Sequence, residues 1–537
     1  MSYTFYPMHT HVHACHDCGG SMEGYFVNAA SLGMNYIRFT DHDNRIGYKQ
    51  YPFTSFDFSK GQMMYEDYPG KTCGFDVVGE PQTDFCGDRM ILSASDEGGV
   101  KLTSSGKRHT VSLLADVTLI LGVHRTNGSG RVVIDIKLSQ HPCICDDGTV
   151  KHQAAHMKYV LGKARDGELS LTPTADGIYN LNISKDVHLF DVGGLDNAFD
   201  TISIIAKDGA SCELFHLSIE RKCPAQEVLN RQRKLANEIG SRYGIKPFVT
   251  TEISAAGHHK CCYGEQVPVI DYAAHDYLVS QEDAIAHVKS HGGIFSYNHP
   301  FDSYKRIDLA EEEKPIIVMN EAEALCREKV FGASLIEVGF PAGRHGFAFR
   351  DYMKLWDTLS LAGIFITGHG DNDSHTNDTG WFGGNNFAAY IAAPSELSFP
   401  IDDSFFIESM KAGRVYSANP VYVKGNVSFE CEGVPMGAIL RVSEGDGMPR
   451  KMRFCADLTE PGWRLSVICN GEPTYSLPLE DTSVDFEFEV LPVQPLCFAR
   501  VELYNSDGRC ILMTNPIYIV RGNTFADALP PERLYEI

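Results

Sequence analysis

Met8-His9-Thr10-His11-Val12-His13-Ala14-Cys15-His16-Asp17 places four histidines in near alternation at the start of the chain and closes them with a carboxylate. Side chains i and i+2 of a strand share a face. With Phe5 to His11 extended, His9 and His11 therefore project together from the strand's C-terminal end. Neutral imidazole is the commonest metal ligand, and two on one face form half a site.

Outward from this run, later segments end in the same residue types. Ser21 to Leu32 reads as a short helix stopped by Gly33, and Met34 to Thr40 as a strand ending in Asp41-His42-Asp43. From Pro224 the pattern resumes with a helix to about Tyr243, then a strand, Ile245 to Thr251, that delivers Glu252. Ser280 opens another helix, and Ile294 to Tyr297 delivers Asn298-His299-Pro300. Leu335-Ile336 delivers Glu337. A helix from Phe349 to Ala362 precedes Ile364 to Thr367, which delivers His369, Asp371, Asp373 and His375. Helices alternating with strands that carry polar residues at their ends define an α/β domain, and in α/β barrels the chemistry sits at those ends.

Two stretches break this pattern. Between about residues 53 and 222 helical periodicity vanishes and short alternating runs take over, separated by turns such as Asn127-Gly128-Ser129-Gly130. They predict an inserted β-sandwich of jelly-roll type. From 419 to 537 the chain is again β-rich and predicts an immunoglobulin-like sandwich. The α/β domain is thus discontinuous, 1–52 with 223–418.

With 537 residues, two to four domains are expected. A net charge of -23 argues against nucleic acid or an anionic membrane as partner. No apolar run approaches the roughly 20 residues of a membrane span, and the N-terminus lacks signal-peptide character. A cytoplasmic protein is expected, its 16 cysteines reduced and mostly buried.

The ordered set His9-Thr10-His11, Asp41-His42-Asp43, Glu252, His299-Pro300 and Asp373-Ser374-His375 resembles the polymerase and histidinol phosphatase (PHP) family. The run Met410 to Tyr416 with Asn419-Pro420 resembles the carbaryl-hydrolase-like branch. The resemblance covers residues 1–45 and about 224–415. It implies a distorted (β/α)7 TIM-like barrel that binds two or three divalent metals, Zn, Mn or Fe, and hydrolyses phosphoesters. The nucleophile it implies is metal-bound water and not a side chain. Its implied metal ligands are His9, His11, His42, Glu252, His259, His299, Asp373 and His375, with Asp17 or, in the absence of a one-residue insertion, His16. His9/His11 with Asp17 is the preferred assignment, because the shift to His11/His13 leaves polar Thr10 where an apolar strand residue is expected.

Asp41, His258, His369, Asp371 and Glu337 are candidates for orienting the ligands. Arg344 is a candidate for a substrate anion, although a solvated loop is the plainer assignment. Trp356 belongs to the core, and Trp381 with Phe382 is a candidate pocket wall. The expected activity is hydrolysis of a small, possibly phosphorylated molecule. The competing readings are carboxylester or carbamate hydrolysis, and a non-catalytic carbohydrate-binding protein on a degenerate barrel. The inserted sandwich is a candidate for a glycan site or for contact between copies of the chain.

Overall fold

In a computed structural model the chain is a mixed α/β protein dominated by large sheets with few helices. The structure describes residues 3–14, 22–43, 46, 54–57, 62–65, 72–78, 82–86, 89–94, 100–104, 111–127, 130–138, 141–144, 150–153, 155–190, 194–195, 197–254, 256–275, 278–304, 309–371, 373–375 and 387–536. Asp17, His16, Trp381 and Phe382 lie outside them.

A row of strands positions the site. In chain order these are β1 (Tyr3–Val12), β2 (Tyr36–His42), β3 (Lys246–Ile253), β4 (Lys260–Tyr263), β5 (Ile294–Tyr297), β6 (Leu335–Glu337) and β7 (Thr367–His369). They pair in sequence order, parallel except that β4 runs antiparallel to both β3 and β5. The row curls until its ends meet. Val12 bridges to Ser374, and His13 N donates to Ser374 O at 2.9 Å. On its other edge β1 pairs antiparallel with β8 (Ala388–Pro394), followed by β9 (Val415–Ala418).

The helices between these strands are α1 (Met22–Ser31), α2 (Ala225–Tyr243), α3 (Gln281–Ser290), α4 (Lys314–Arg327), α5 (Phe349–Leu361) and α6 (Asp403–Lys411). Pro224 stands one position outside α2, and Gly244 ends that helix at φ 66°. Ser280 accepts from Asp283 N at 3.1 Å and donates to its carboxylate at 2.8 Å, capping α3. A buried Arg38–Asp403 ion pair, with Arg38 near the rings of Phe248 and Tyr263, ties β2 to α6.

The described residues between 54 and 221 form mainly antiparallel strands, as in the pairing of Arg131–Leu138 with Ala198–Lys207. Their alternating burial, Met157, Tyr159 and Leu161 inward, is that of half-buried sheets. Toward the C-terminus the main sheet does not stop at residue 418: β9 pairs with Cys510–Thr514, and the sheet runs on through Leu496–Tyr504. A separate four-stranded sheet holds Val423–Cys431, Arg450–Leu458 and Ser483–Val490, so a β region follows 419 but shares a sheet with the domain before it.

Two elements escape the periodicity of the sequence. β4 is a four-residue run buried at every position, with no alternation to mark it. α4 buries only Val318, Ala322 and Leu325, a narrow stripe under β-branched and polar neighbours.

Trp356 is fully buried and donates Nε1 to Ile366 O at 3.2 Å. It packs flat against Gly368, where an added Cβ would lie 2.4 Å from the indole. Gly368→Ala is expected to lower stability by about 1–3 kcal/mol through overpacking. An unchanged denaturation midpoint would contradict this account of β7.

Candidate metal centre

The strand ends meet at one place. Glu252 and His42 are register partners across β3 and β2, and Cys261 faces Glu252 from β4. Glu252 lies at the centre, fully buried. Its Oε1 lies 3.4 Å from His11 Nε2, 3.3 Å from His259 Nδ1 and 3.4 Å from His299 Nε2. Its Oε2 lies 2.6 Å from His42 Nδ1 and 3.7 Å from His13 Nε2. Asn298 Nδ2 donates to Oε1 at 2.7 Å and fixes the carboxylate.

Asp373 completes the cluster from the segment after β7. Its Oδ1 stands 3.1 Å from His11 Nε2, 3.0 Å from His13 Nε2 and 3.6 Å from His375 Nδ1. The rings of His13 and His375 stack at 4.0 Å. Among the described residues four overlapping groups have their ligand atoms close enough to hold an ion: His11, His13 and Glu252; His42, Glu252 and His259; His13, His42 and His375; and His11, Cys261 and Glu337.

The donor chemistry fits cations. His11 Nδ1 lies 2.6 Å from Glu337 Oε1, which directs the ring N–H there and turns the Nε2 lone pair inward. That lone pair faces Glu252, Asp373 and, at 3.1 Å, His13 Nε2. Electron-pair donors thus converge in a buried space, which is costly unless positive charge joins them. Buried Asp373 Oδ1 has no correctly angled hydrogen bond among the described residues.

The same preference shows in protonation. Burial alone would depress the His11 imidazole, yet Cys261 and the Glu337, Asp373 and Glu252 carboxyls push it well above its ordinary value. Burial opposes charge on Glu252, but His11, His42 and His259 hold its carboxyl well below the usual range. Asp373 is likewise held well below that range by His11, Arg344 and His375 against its burial.

Backbone strain collects here. His299, His345 and Asp373 have φ of 27°, 53° and 49°, left-handed values that cost a non-glycine residue about 1–3 kcal/mol each. Above the cluster opens a cleft of about 410 Å³ lined by His42, His259, His299, Asp302, Arg344, Asp373 and His375.

Of the ligands expected from sequence, His11, His42, Glu252, His259, His299, Asp373 and His375 come together. His9 does not. It lies deeper along β1, with Nδ1 3.7 Å from Asp371, and His13 takes the place beside His11. The cause is that β1 runs on past His11 to Val12 with an irregular register between His9 and Val12, so its end presents His11 and His13 in place of His9 and His11. Thr10 tolerates burial because its hydroxyl donates to Asp371 Oδ2 at 2.7 Å. A signal was present: the alternation of histidines continues to His13.

The supporting residues divide. Asp371 accepts from His11 N at 2.8 Å and latches β1 to the segment after β7. Asp41 accepts from Ala14 N at 2.8 Å, and His369 contacts Ser296 Oγ at 2.8 Å outside the cluster. His258 stacks on Tyr297 at 4.1 Å, and burial pushes its imidazole down to about 3. Arg344 is no solvated loop residue: it pairs with Asp373 and lines the cleft. Cys261 and Asp302 carried no sequence signal of their own, and Asn298 stood out only as the strand-end neighbour of His299. Cys261 is a free, buried thiol grouped with His11 and Glu337.

No known family's sequence profile matches the chain, and no curated protein matches it. Among solved structures, an exo-beta-agarase is similar over 32% of this chain and 25% of its own, at 11% identity and TM-score 0.17. A family 12 xyloglucanase from Bacillus licheniformis is similar over 32% of this chain and 97% of its own, at 9% identity and TM-score 0.19. A Bacteroides uniformis beta-glucuronidase is similar over 81% and 61%, at 8% identity and TM-score 0.16. The chain spans only 25% of the agarase, and likenesses this slight carry no argument about fold or activity. Among the described residues no helix is long and apolar enough to cross a membrane.

Proposed function

We propose that this chain is a metal-dependent hydrolase acting on small phosphoesters, built on a distorted (β/α)7 barrel. The curled row of β1 to β7, with its ends joined at Val12 and Ser374, supports the barrel. The observation that carries the function is the convergence of His11, His13, His42, His259 and His299 on the two oxygens of Glu252, with Asp373 beside them. Mixed imidazole and carboxylate donors would suit two or three Zn, Mn or Fe(II) ions, held by these imidazoles and by Glu252, which belongs to two of the ligand groups. When bound, such ions polarise a phosphoryl oxygen and activate water near neutral pH.

The chain's own contribution is orientation. Glu337 fixes the His11 tautomer, and its other oxygen accepts from His299 N at 3.0 Å, so one carboxylate sets two ligand positions. Asp371 keeps the end of β1 from swinging, and Asn298 holds Glu252. Among the described residues lining the cleft there is no serine, threonine, cysteine or lysine, which supports attack by water over a side-chain nucleophile. A degenerate glycan-binding scaffold has less support, since it has no use for acceptors aimed at one another in a buried space.

Elemental analysis of purified protein is expected to find about two or more equivalents of Zn, Mn or Fe per chain. Removing them with a chelator should abolish hydrolysis of a chromogenic phosphomonoester, and re-addition should restore it. A content clearly below about one equivalent would sink the multinuclear reading.

A further inference from the structure

The cleft carries one fixed cation among its described lining residues, Arg344. Its backbone is clamped: Arg344 N donates to Phe347 O at 2.9 Å, Phe347 N donates back at 2.9 Å, and the Tyr352 hydroxyl donates to Arg344 O at 3.1 Å. The guanidinium is clamped as well. Nε donates to His345 Nε2 at 2.8 Å, Nη2 pairs with Asp373 Oδ2, and Cζ stands 5.5 Å from the Phe340 ring centre. Nη1 takes no partner among the described residues.

The anchoring explains where this charge is aimed. Asp373 divides its oxygens, Oδ1 toward His11 and His13 and Oδ2 toward Arg344. The arginine is therefore held one carboxylate away from the candidate cation positions. A phosphomonoester has three non-bridging oxygens, enough to face the cation cluster and a guanidinium at once. A carboxyl ester or carbamate has a single carbonyl oxygen, which the cluster would occupy alone. A pre-positioned guanidinium edge matches a phosphate oxygen in both charge and geometry.

We infer that Arg344 determines the specificity of the cleft, gripping a terminal oxygen of a phosphomonoester and so setting that class above carboxyl esters and carbamates. This rests on the hydrolase reading above. The role differs from that of the ligands, because Arg344 acts on the substrate's charge and not on the hold on metal.

Metal-loaded wild type, Arg344→Gln and Arg344→Lys would be compared by calorimetric titration with inorganic phosphate and by hydrolysis of p-nitrophenyl phosphate against p-nitrophenyl acetate. Phosphate affinity in Arg344→Gln is expected to fall about tenfold to hundredfold, the worth of one charge-assisted hydrogen bond. The preference for the phosphate ester over the acetate should fall by a similar factor, with Arg344→Lys intermediate and metal content unchanged. Equal losses on both esters, or unchanged phosphate binding, would overturn the inference and leave the hydrolase reading standing. A wild type that cleaves the acetate but not the phosphate overturns it too. A wild type without metal fails the hydrolase reading first, and the inference falls with it.

Discussion

Replacing His13 with alanine is expected to lower turnover by about three orders of magnitude, corresponding to several kcal/mol of lost charge stabilisation. It should also cost the protein part of its metal. His13 Nε2 faces both Asp373 and Glu252, and its ring stacks on His375, so its loss opens two of the four ligand groups found among the described residues. His9→Ala should behave differently. His9 lies against Asp371 and belongs to none of the ligand groups found among the described residues, so its removal should leave metal content intact and change turnover less than about tenfold, the low end for an outer partner. The pair is decisive because a sequence-level assignment of His9 and His11 makes the opposite prediction. Loss of metal in His9→Ala with retention in His13→Ala would show that β1 is placed one pleat out of phase. Metal content and kcat should be measured on the same preparations, since an unfolded variant loses both.

That reversal shows what the sequence can carry. The residue types at strand ends were legible, because a strand that delivers His42 or Glu252 must end where polar groups find partners. Phase was not. It depended on how far β1 continues, and that is set by Val12 meeting Ser374, a contact across 362 positions that no local pattern encodes. Thr10 misled for a related reason: its polar side chain argued against burial, and the acceptor that permits burial, Asp371, lies far away in sequence. The orienting role of Glu337 was legible from its position at the end of β6. The place of Arg344 was not, since loop residues have no period and only its pairing with Asp373 brings it over the cleft. The β-rich character of 54–221 and 419–536 was plain from alternation. The continuity of the main sheet into Cys510–Thr514 was not, because strand pairing order is invisible to alternation.

That continuity has a second support, and it yields the largest expected effect on stability. Arg500, on the strand Leu496–Tyr504, donates Nε and Nη2 to the two oxygens of Asp357 on α5, each at 2.9 Å. Its Nη1 pairs with Glu502, which also accepts from the Tyr504 hydroxyl. All three charged side chains are buried, so one guanidinium compensates two carboxylates. Arg500→Met should destabilise the protein by about 3–5 kcal/mol, because breaking a buried network strands charge without solvent. Exchanging the group for Asp357→Leu, Arg500→Met and Glu502→Gln together should cost less than the single change, a non-additivity that separates stranded charge from lost packing. Burial already pushes the Asp357 carboxyl up, with Arg500 pulling it back, so the single variant should raise it further. A carboxyl raised in the folded state binds more protons there than when unfolded, and stability then falls as pH rises through the folded value. The deficit of Arg500→Met should accordingly be greatest at neutral pH and shrink toward about pH 5, whereas a packing defect would be indifferent to pH. Denaturant midpoints of wild type, Arg500→Met and the triple variant at the two pH values decide between them, and a pH-independent deficit would refute the charge account.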